Sequence, residues 1–329
     1  MALLEVAELS RREGTDYVVD AVSFSQSAGE RLALAGATGS GKTTLLKMLA
    51  GLVQPSSGHI LFRGKRVIGP EEQLIPGHPL IAYLSQHFEL RNHYRVVEVI
   101  QRFSRVGPEQ VALICTLCRI DHLLDRWTHE LSGGERQRIA LAQQLVTAPA
   151  LLLLDEPYSN LDPLHKATLK EVINDLTRRL NITAILVSHD PPDVFSWAQH
   201  ILVMSEGKVV QTGTPQQLYF QPANVYVAAL FGRYNVFTPA LATAFNSFPE
   251  TQMRPIGSII RPSQLVLVPE GLGVSALVNS NTFMGSFYEL ELTVPGQTLV
   301  VHAPVYNGAV GDTVHLKLLA DNFAGLPQG

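Results

Sequence analysis

Apolar positions in the first two-thirds of the chain gather in short unbroken runs. Residues 32–35, 81–84, 151–154, 184–187 and 201–204 are nearly continuous rather than alternating, the pattern of strands covered on both faces of a mainly parallel sheet. Helical spacing appears between them, over 43–52, 135–147 and 166–180, so strands and helices alternate as in an α/β core. A mostly helical stretch over 96–127 interrupts that order. Pro191 and Pro192 follow the run at 184–187 and are expected to stop that strand from passing straight into a helix.

Past Tyr234 the texture changes. Runs at 258–261, 265–268, 274–279, 287–294, 299–302 and 314–318 are rich in β-branched and aromatic residues and are punctuated by glycine and proline. The segment from Phe287 to Val294 alternates cleanly, as a strand with one wet face should. This predicts a small all-β domain over 236–329, most simply a compact barrel, after an α/β domain over 1–235 with its helical insertion at about 90–147.

Composition narrows the picture. A length of 329 residues suits two domains, and 46% hydrophobic against 16% charged residues excludes a disordered chain. A net charge of −4 gives no electrostatic footprint for nucleic acid. Two cysteines cannot build a disulfide framework, which points to a reducing compartment. Glu5 and Glu8 interrupt the apolar start, so no signal peptide is expected there. No apolar run approaches the roughly 20 residues that span a bilayer.

Two glycine-rich turns carry the candidate chemistry. The first, Gly36-Ala37-Thr38-Gly39-Ser40-Gly41-Lys42-Thr43-Thr44, leaves a strand and opens a helix, the context a phosphate-binding loop requires. Its glycines let backbone N–H groups curl round phosphate oxygens, Lys42 should reach the β- and γ-phosphates, and the Thr43 hydroxyl should ligate Mg²⁺. The second, Ser132-Gly133-Gly134, precedes another helix and forms a second anion site, although Ser before a helix is also simply a good N-cap. One nucleotide has one terminal phosphate. Two such sites are reconciled most simply if two copies face each other head to tail, each capping the nucleotide of the other. The buried strand at 151–154 ends in Asp155 and Glu156; the first is placed near the metal and the second where it can take a proton from attacking water. Cys115, Cys118 and His122 share a helical face by spacing, but without a second cysteine pair they read as core residues of an amphipathic helix.

With Leu131-Ser-Gly-Gly-Glu-Arg-Gln137 added to the phosphate loop, the order of motifs over about 3–235 resembles the ATP-binding-cassette (ABC) ATPases. The resemblance implies that Asp155 is the Walker B aspartate and that Gln86 touches Mg²⁺ or water and hinges the helical subdomain. It further implies that His189 senses the γ-phosphate beside Glu156, and that Ser159-Asn-Leu-Asp162 crosses a dimer seam. An adenine-stacking aromatic is usual near the first strand pair; Glu13 stands at the aligned position and Tyr17 is the nearest aromatic, which stacks on the base or packs in its strand. Ile260-Arg-Pro-Ser-Gln-Leu265 resembles the start of the transport-associated OB-like (TOBE) domain of the same family. Together these are similar to the ATPase subunit of importers for polyamines, ferric iron, sulfate, molybdate or sugars. The implied cofactors are ATP and Mg²⁺. The implied partners are a second copy, membrane permease subunits and, indirectly, a substrate-binding protein, at the cytoplasmic face of the inner membrane. His87, Phe88, Leu90 and Tyr94 are the expected socket for the permease. The alternatives are a soluble ABC ATPase, an exporter subunit and a nucleotide-binding module that does not hydrolyse.

Overall fold

The computed structural model describes residues 2–86, 90, 92–159, 161–248 and 254–319. His87 and Phe88 of the expected permease socket, and Asn160 of the segment before Asp162, lie outside them. Two compact units make up the chain, 1–215 and 216–329.

The first unit holds two sheets. One is antiparallel, in the order β2–β1–β4–β5, from β1 (Ala2–Glu13), β2 (Asp16–Ser27), β4 (Ser57–Phe62) and β5 (Lys65–Arg66). The other has the order β10–β9–β3–β8–β7–β6, from β3 (Arg31–Ala35), β6 (Ile81–Leu84), β7 (Leu151–Asp155), β8 (Thr183–Val187), β9 (His200–Ser205) and β10 (Lys208–Gly213). Five of its strands run parallel and β10 pairs antiparallel with β9. Every residue of β7 and β8 is buried, which is why their sequences show no alternation.

Helix α1 (Lys42–Leu49) lies between the sheets, its Leu45, Leu46, Met48 and Leu49 in one core with Leu4, Val6 and Leu9 of β1 and Leu151 and Leu153 of β7. The opposite face of the large sheet is covered by α2 (Val96–Arg102), α3 (Pro108–Leu117), α4 (Gly133–Leu145) and α5 (Pro163–Arg179). Tight helical turns at Asp121–Leu123 and Thr128–Glu130 link α3 to α4.

Two local expectations change. Pro191 and Pro192 open α6 (Pro191–Phe195) with Asp190 at its N-cap. Proline fits there because the first helical N–H groups have no intrahelical partner to lose. Helix α3 stops at Leu117, so His122 falls in the following turn and shares no helical face with Cys115 and Cys118. Both thiols are buried, burial pushes their pKa values up, and no metal-binding cluster occurs among the described residues.

The second unit centres on an antiparallel sheet, order β13–β17–β14–β15–β16, from β13 (Leu265–Val268), β14 (Val274–Phe283), β15 (Tyr288–Val294), β16 (Gln297–Ala303) and β17 (Thr313–Leu318). Its edge strands β13 and β16 approach each other, so the sheet curls. The unit also contains the short pair β11 (Asn235–Val236) and β12 (Ile259–Ile260) and helices that the sequence reading did not anticipate: α7 (Pro215–Phe220), α8 (Val225–Leu230) and α9 (Pro239–Asn246). Thr238 caps α9, whose Leu241 and Phe245 pack with Leu290, Leu292 and Val301 of the sheet.

Arg261, only 1% exposed, ties α7 and α8 to this unit. Its guanidinium donates to the carbonyls of Tyr219 (2.7 Å), Ala228 (2.9 Å), Gly232 (3.0 Å) and Arg233 (3.1 Å). A cation at the C-terminal carbonyls of α8 is also favoured by the helix dipole.

Candidate functional site

Four loops leave the C-terminal edge of the parallel strands side by side: 36–41 after β3, Gln86 after β6, Asp155–Glu156 at the end of β7 and Ser188–His189 after β8. In open α/β sheets that edge is where ligands bind. The loops enclose a cleft of about 360 Å³ lined by Thr38, Gly39, Gly41, Lys42, Thr43, Thr44, Gln86, Glu156 and His189. Position 41 requires glycine. Its φ is +97°, and a Cβ there would stand 2.3 Å from the Val18 carbonyl oxygen. The loop that results aims the first turn of α1, with its unpaired N–H groups, at the cleft.

The Lys42 side chain is 8% exposed, and its ammonium donates to the carbonyls of Gly36 (2.9 Å) and Ala37 (2.8 Å) and to Ser40 Oγ (3.2 Å). Burial lowers its pKa, against the opposing pull of the Glu156 and Asp155 carboxylates. Asp155, 3% exposed, accepts from Thr43 Oγ1 (3.0 Å) at one oxygen and from the Tyr83 hydroxyl (2.8 Å) at the other.

Glu156 turns sharply out of β7 with a left-handed φ of +51°, a conformation costing a non-glycine residue on the order of 1–3 kcal/mol. The turn is held by its N–H on the Val187 carbonyl (3.1 Å) and by Ser159, whose hydroxyl donates to the Glu156 carbonyl at 2.8 Å. Its carboxylate meets His189 Nδ1 at 2.9 Å. Burial raises the Glu156 pKa, while His189 and Lys42 pull the other way. A strained, half-desolvated carboxylate beside a phosphate-type loop is a group poised to accept a proton.

The chain is similar to known proteins. The family model for the ABC transporter matches residues 19–159. The Fe(3+) ions import ATP-binding protein FbpC of Photorhabdus laumondii is 32% identical over 337 residues, covering 96% of this chain and 94% of that protein. The chain belongs to the importer-type ABC ATPases. The Sulfate/thiosulfate import ATP-binding protein CysA 1 of Chromobacterium violaceum is 31% identical, with 99% of both chains covered. Among solved structures, cbiO1 of Clostridium perfringens, part of the ABC transporter complex cbiONQ, superposes with a TM-score of 0.58 at 28% identity, over 66% of this chain and 90% of that one. No helix among the described residues of this ABC ATPase is long and apolar enough to cross a membrane.

Other expected residues of the ABC ATPase stand apart from the cleft. Ser132 and Gly133 are exposed, and Ser132, Gly133, Gly134 and Asp162 are absent from the cleft lining. Ser132 caps α4 through a reciprocal pair: its Oγ accepts from the Glu135 N–H (3.3 Å), and its N–H donates to Glu135 Oε2 (2.8 Å). Gly134 is pressed against His165, whose ring carbon Cδ2 would lie 2.6 Å from any Cβ placed there. His165 in turn hydrogen-bonds Asp162, the N-cap of α5. Tyr17 is 47% exposed with the Arg12 guanidinium 4.8 Å from its ring centre; its neighbour Val18, not Tyr17, lines the cleft.

Two features escaped the sequence. Tyr83 was an anonymous apolar position of its strand, and only strand register brings it to Asp155. Behind His189, buried Asp193 pairs with Lys166 (3.0 Å) and Lys170 (2.5 Å) of α5 and accepts from Ser188 Oγ (3.2 Å). Lysines one turn apart on a polar helix face give no sign of such a partner.

Proposed function

We propose that this chain is the motor subunit of an importer and works as a head-to-tail homodimer beneath separate permease subunits, at the cytoplasmic face of the inner membrane. A substrate-binding protein would deliver the cargo. The observation that carries the reading is one cleft lined by a buried ammonium and a strained carboxylate–imidazole pair, with the Thr43 hydroxyl of its wall bonded to the buried Asp155 carboxylate. In it, Lys42 and the N–H groups of α1 bind the β- and γ-phosphates of ATP. Thr43, Asp155 and Gln86 offer oxygen donors, the set a hard cation such as Mg²⁺ selects. Bound there, Mg²⁺ would neutralise charge on the β- and γ-phosphates. Glu156 accepts a proton from the attacking water, and His189, anchored to Glu156, keeps that carboxylate directed at the γ-phosphate.

The dimer is supported by the exposure of Ser132 and Gly133 outside their own cleft, a placement suited to capping a partner's nucleotide. Asp162, tied through His165 to the same surface, would then lie along the seam. Tyr17, or the Arg12 guanidinium above it, would meet the adenine. The small antiparallel sheet of the second unit fits a TOBE-like accessory domain.

Phosphate release by the purified chain tests the core of this reading. Hydrolysis should require Mg²⁺, rise more than linearly with protein concentration through the dimerisation range, and be abolished by chelation. Release that is strictly linear in protein and indifferent to chelator would overturn it.

A further inference from the structure

We infer that Tyr83 is a positioning residue for the metal-binding carboxylate; this rests on the reading of Asp155 as a Mg²⁺ ligand. The parallel register sets Tyr83 opposite Leu153, and side chains two apart on a strand share a face, so Tyr83, Leu153 and Asp155 all face α1. From the sheet-edge strand β6 the phenol reaches over to the end of the adjacent β7 and donates to Asp155 Oδ2 at 2.8 Å, while Thr43 donates to Oδ1 at 3.0 Å.

The two oxygens therefore have different neighbours. Oδ1 stands beside the Thr43 hydroxyl, the other oxygen donor offered to the cation. Oδ2 is engaged by the phenol. With Oδ2 held, rotation of the buried carboxylate about its last bond would break the hydrogen bond from the phenol. Tyr83 would thus leave Oδ1 as the oxygen offered to the cation. Partners that orient a ligand from behind are worth about 10–100-fold in metal affinity.

The test uses the full chain with Tyr83→Phe, which keeps the ring and removes the hydroxyl, and Asp155→Asn as its companion. Mn²⁺ binding to each protein, loaded with a non-hydrolysable ATP analogue, is read by electron paramagnetic resonance well below the unfolding transition. Nucleotide affinity without metal is measured in parallel by calorimetry. Tyr83→Phe should weaken Mn²⁺ binding about 10–100-fold and leave metal-free nucleotide affinity unchanged. Parental Mn²⁺ affinity in Tyr83→Phe with a weakened Asp155→Asn would refute the role of Tyr83 and leave the Asp155 reading standing. Parental affinity in both would remove the Asp155 reading, and the inference with it. Equal loss of metal-free nucleotide binding in Tyr83→Phe would show a general disturbance of the cleft and also overturn the inference.

Discussion

Glu156→Gln separates the chemistry of the cleft from its architecture. The amide has the volume of the carboxyl, and its oxygen can still accept from His189 Nδ1, 2.9 Å away in the parent. The turn is held by backbone and Ser159 contacts that do not involve the side chain. What disappears is the proposed proton acceptor. Loss of a general base costs about 10²–10⁴-fold, or about 2.7–5.4 kcal/mol in barrier height. Phosphate release at saturating ATP and Mg²⁺ should fall by that factor, with ATP affinity by calorimetry retained. A second readout follows from burial, which raises the Glu156 pKa above that of an unfolded glutamate. A raised carboxyl pKa favours the fold below the unfolded value, near pH 4.3, and that contribution is lost as pH climbs through the folded value. The Gln variant, never charged, should therefore melt at a higher temperature than the parent at pH 8. The advantage should fade toward pH 4. In the parent, the acid limb of the kcat–pH profile should lie above the range of an ordinary glutamate. Hydrolysis at the parental rate, or a variant less stable than the parent at pH 8, would refute the reasoning.

Lys42→Ala should weaken ATP binding measured by calorimetry roughly 10–100-fold, the worth of one charge-assisted hydrogen bond of about 1.5–3 kcal/mol; unchanged affinity would remove the phosphate-loop assignment. Ser132→Arg should leave ATP bound to its own chain yet abolish nucleotide-driven dimerisation in sedimentation experiments. Mixed with Lys42→Ala, it regenerates one composite site with both halves intact, and partial recovery of hydrolysis is expected if the sites can act singly. Loss of ATP binding by the isolated Ser132→Arg chain would place Ser132 in its own cleft. Arg261→Met should destabilise the second unit by at least about 3 kcal/mol in denaturant titrations, because hydrogen bonds to a charged group are worth about 1.5–3 kcal/mol each and four carbonyls lose theirs.

The glycine-rich turn at 36–41 and the strand end at Asp155–Glu156 were legible as elements of the structure because local chemistry dictates them. Glycines, a lysine and a helix start stand within nine residues, and two acids close an unbroken apolar strand. What strand pairing or helix packing decides was not legible. Tyr83 meets Asp155 only through the β6–β7 register, and His165 lies beneath Gly134 only because the starts of α4 and α5 converge. Helix α9 was hidden inside a segment expected to be all β, because its two anchors, Leu241 and Phe245, are too few to announce a helical stripe. The proline pair misled for a related reason: the same ring that breaks a helix interior is at ease in its first turn.

The guanidinium of Arg261 also bears on how this polypeptide can be cut and recombined. Composition places a seam at 235/236, but the carbonyls of 219, 228, 232 and 233 all close on one buried cation contributed from further along the chain. A chimera joined at 235 would hand a foreign C-terminal segment a task it has not been shaped for, and would leave the native segment with a buried charge and nothing to hold. A joint near 215 keeps donor and acceptors on one piece. The heritable module is therefore longer than the β-rich sequence suggests, and grafting accessory domains between such ATPases should succeed or fail on those twenty residues.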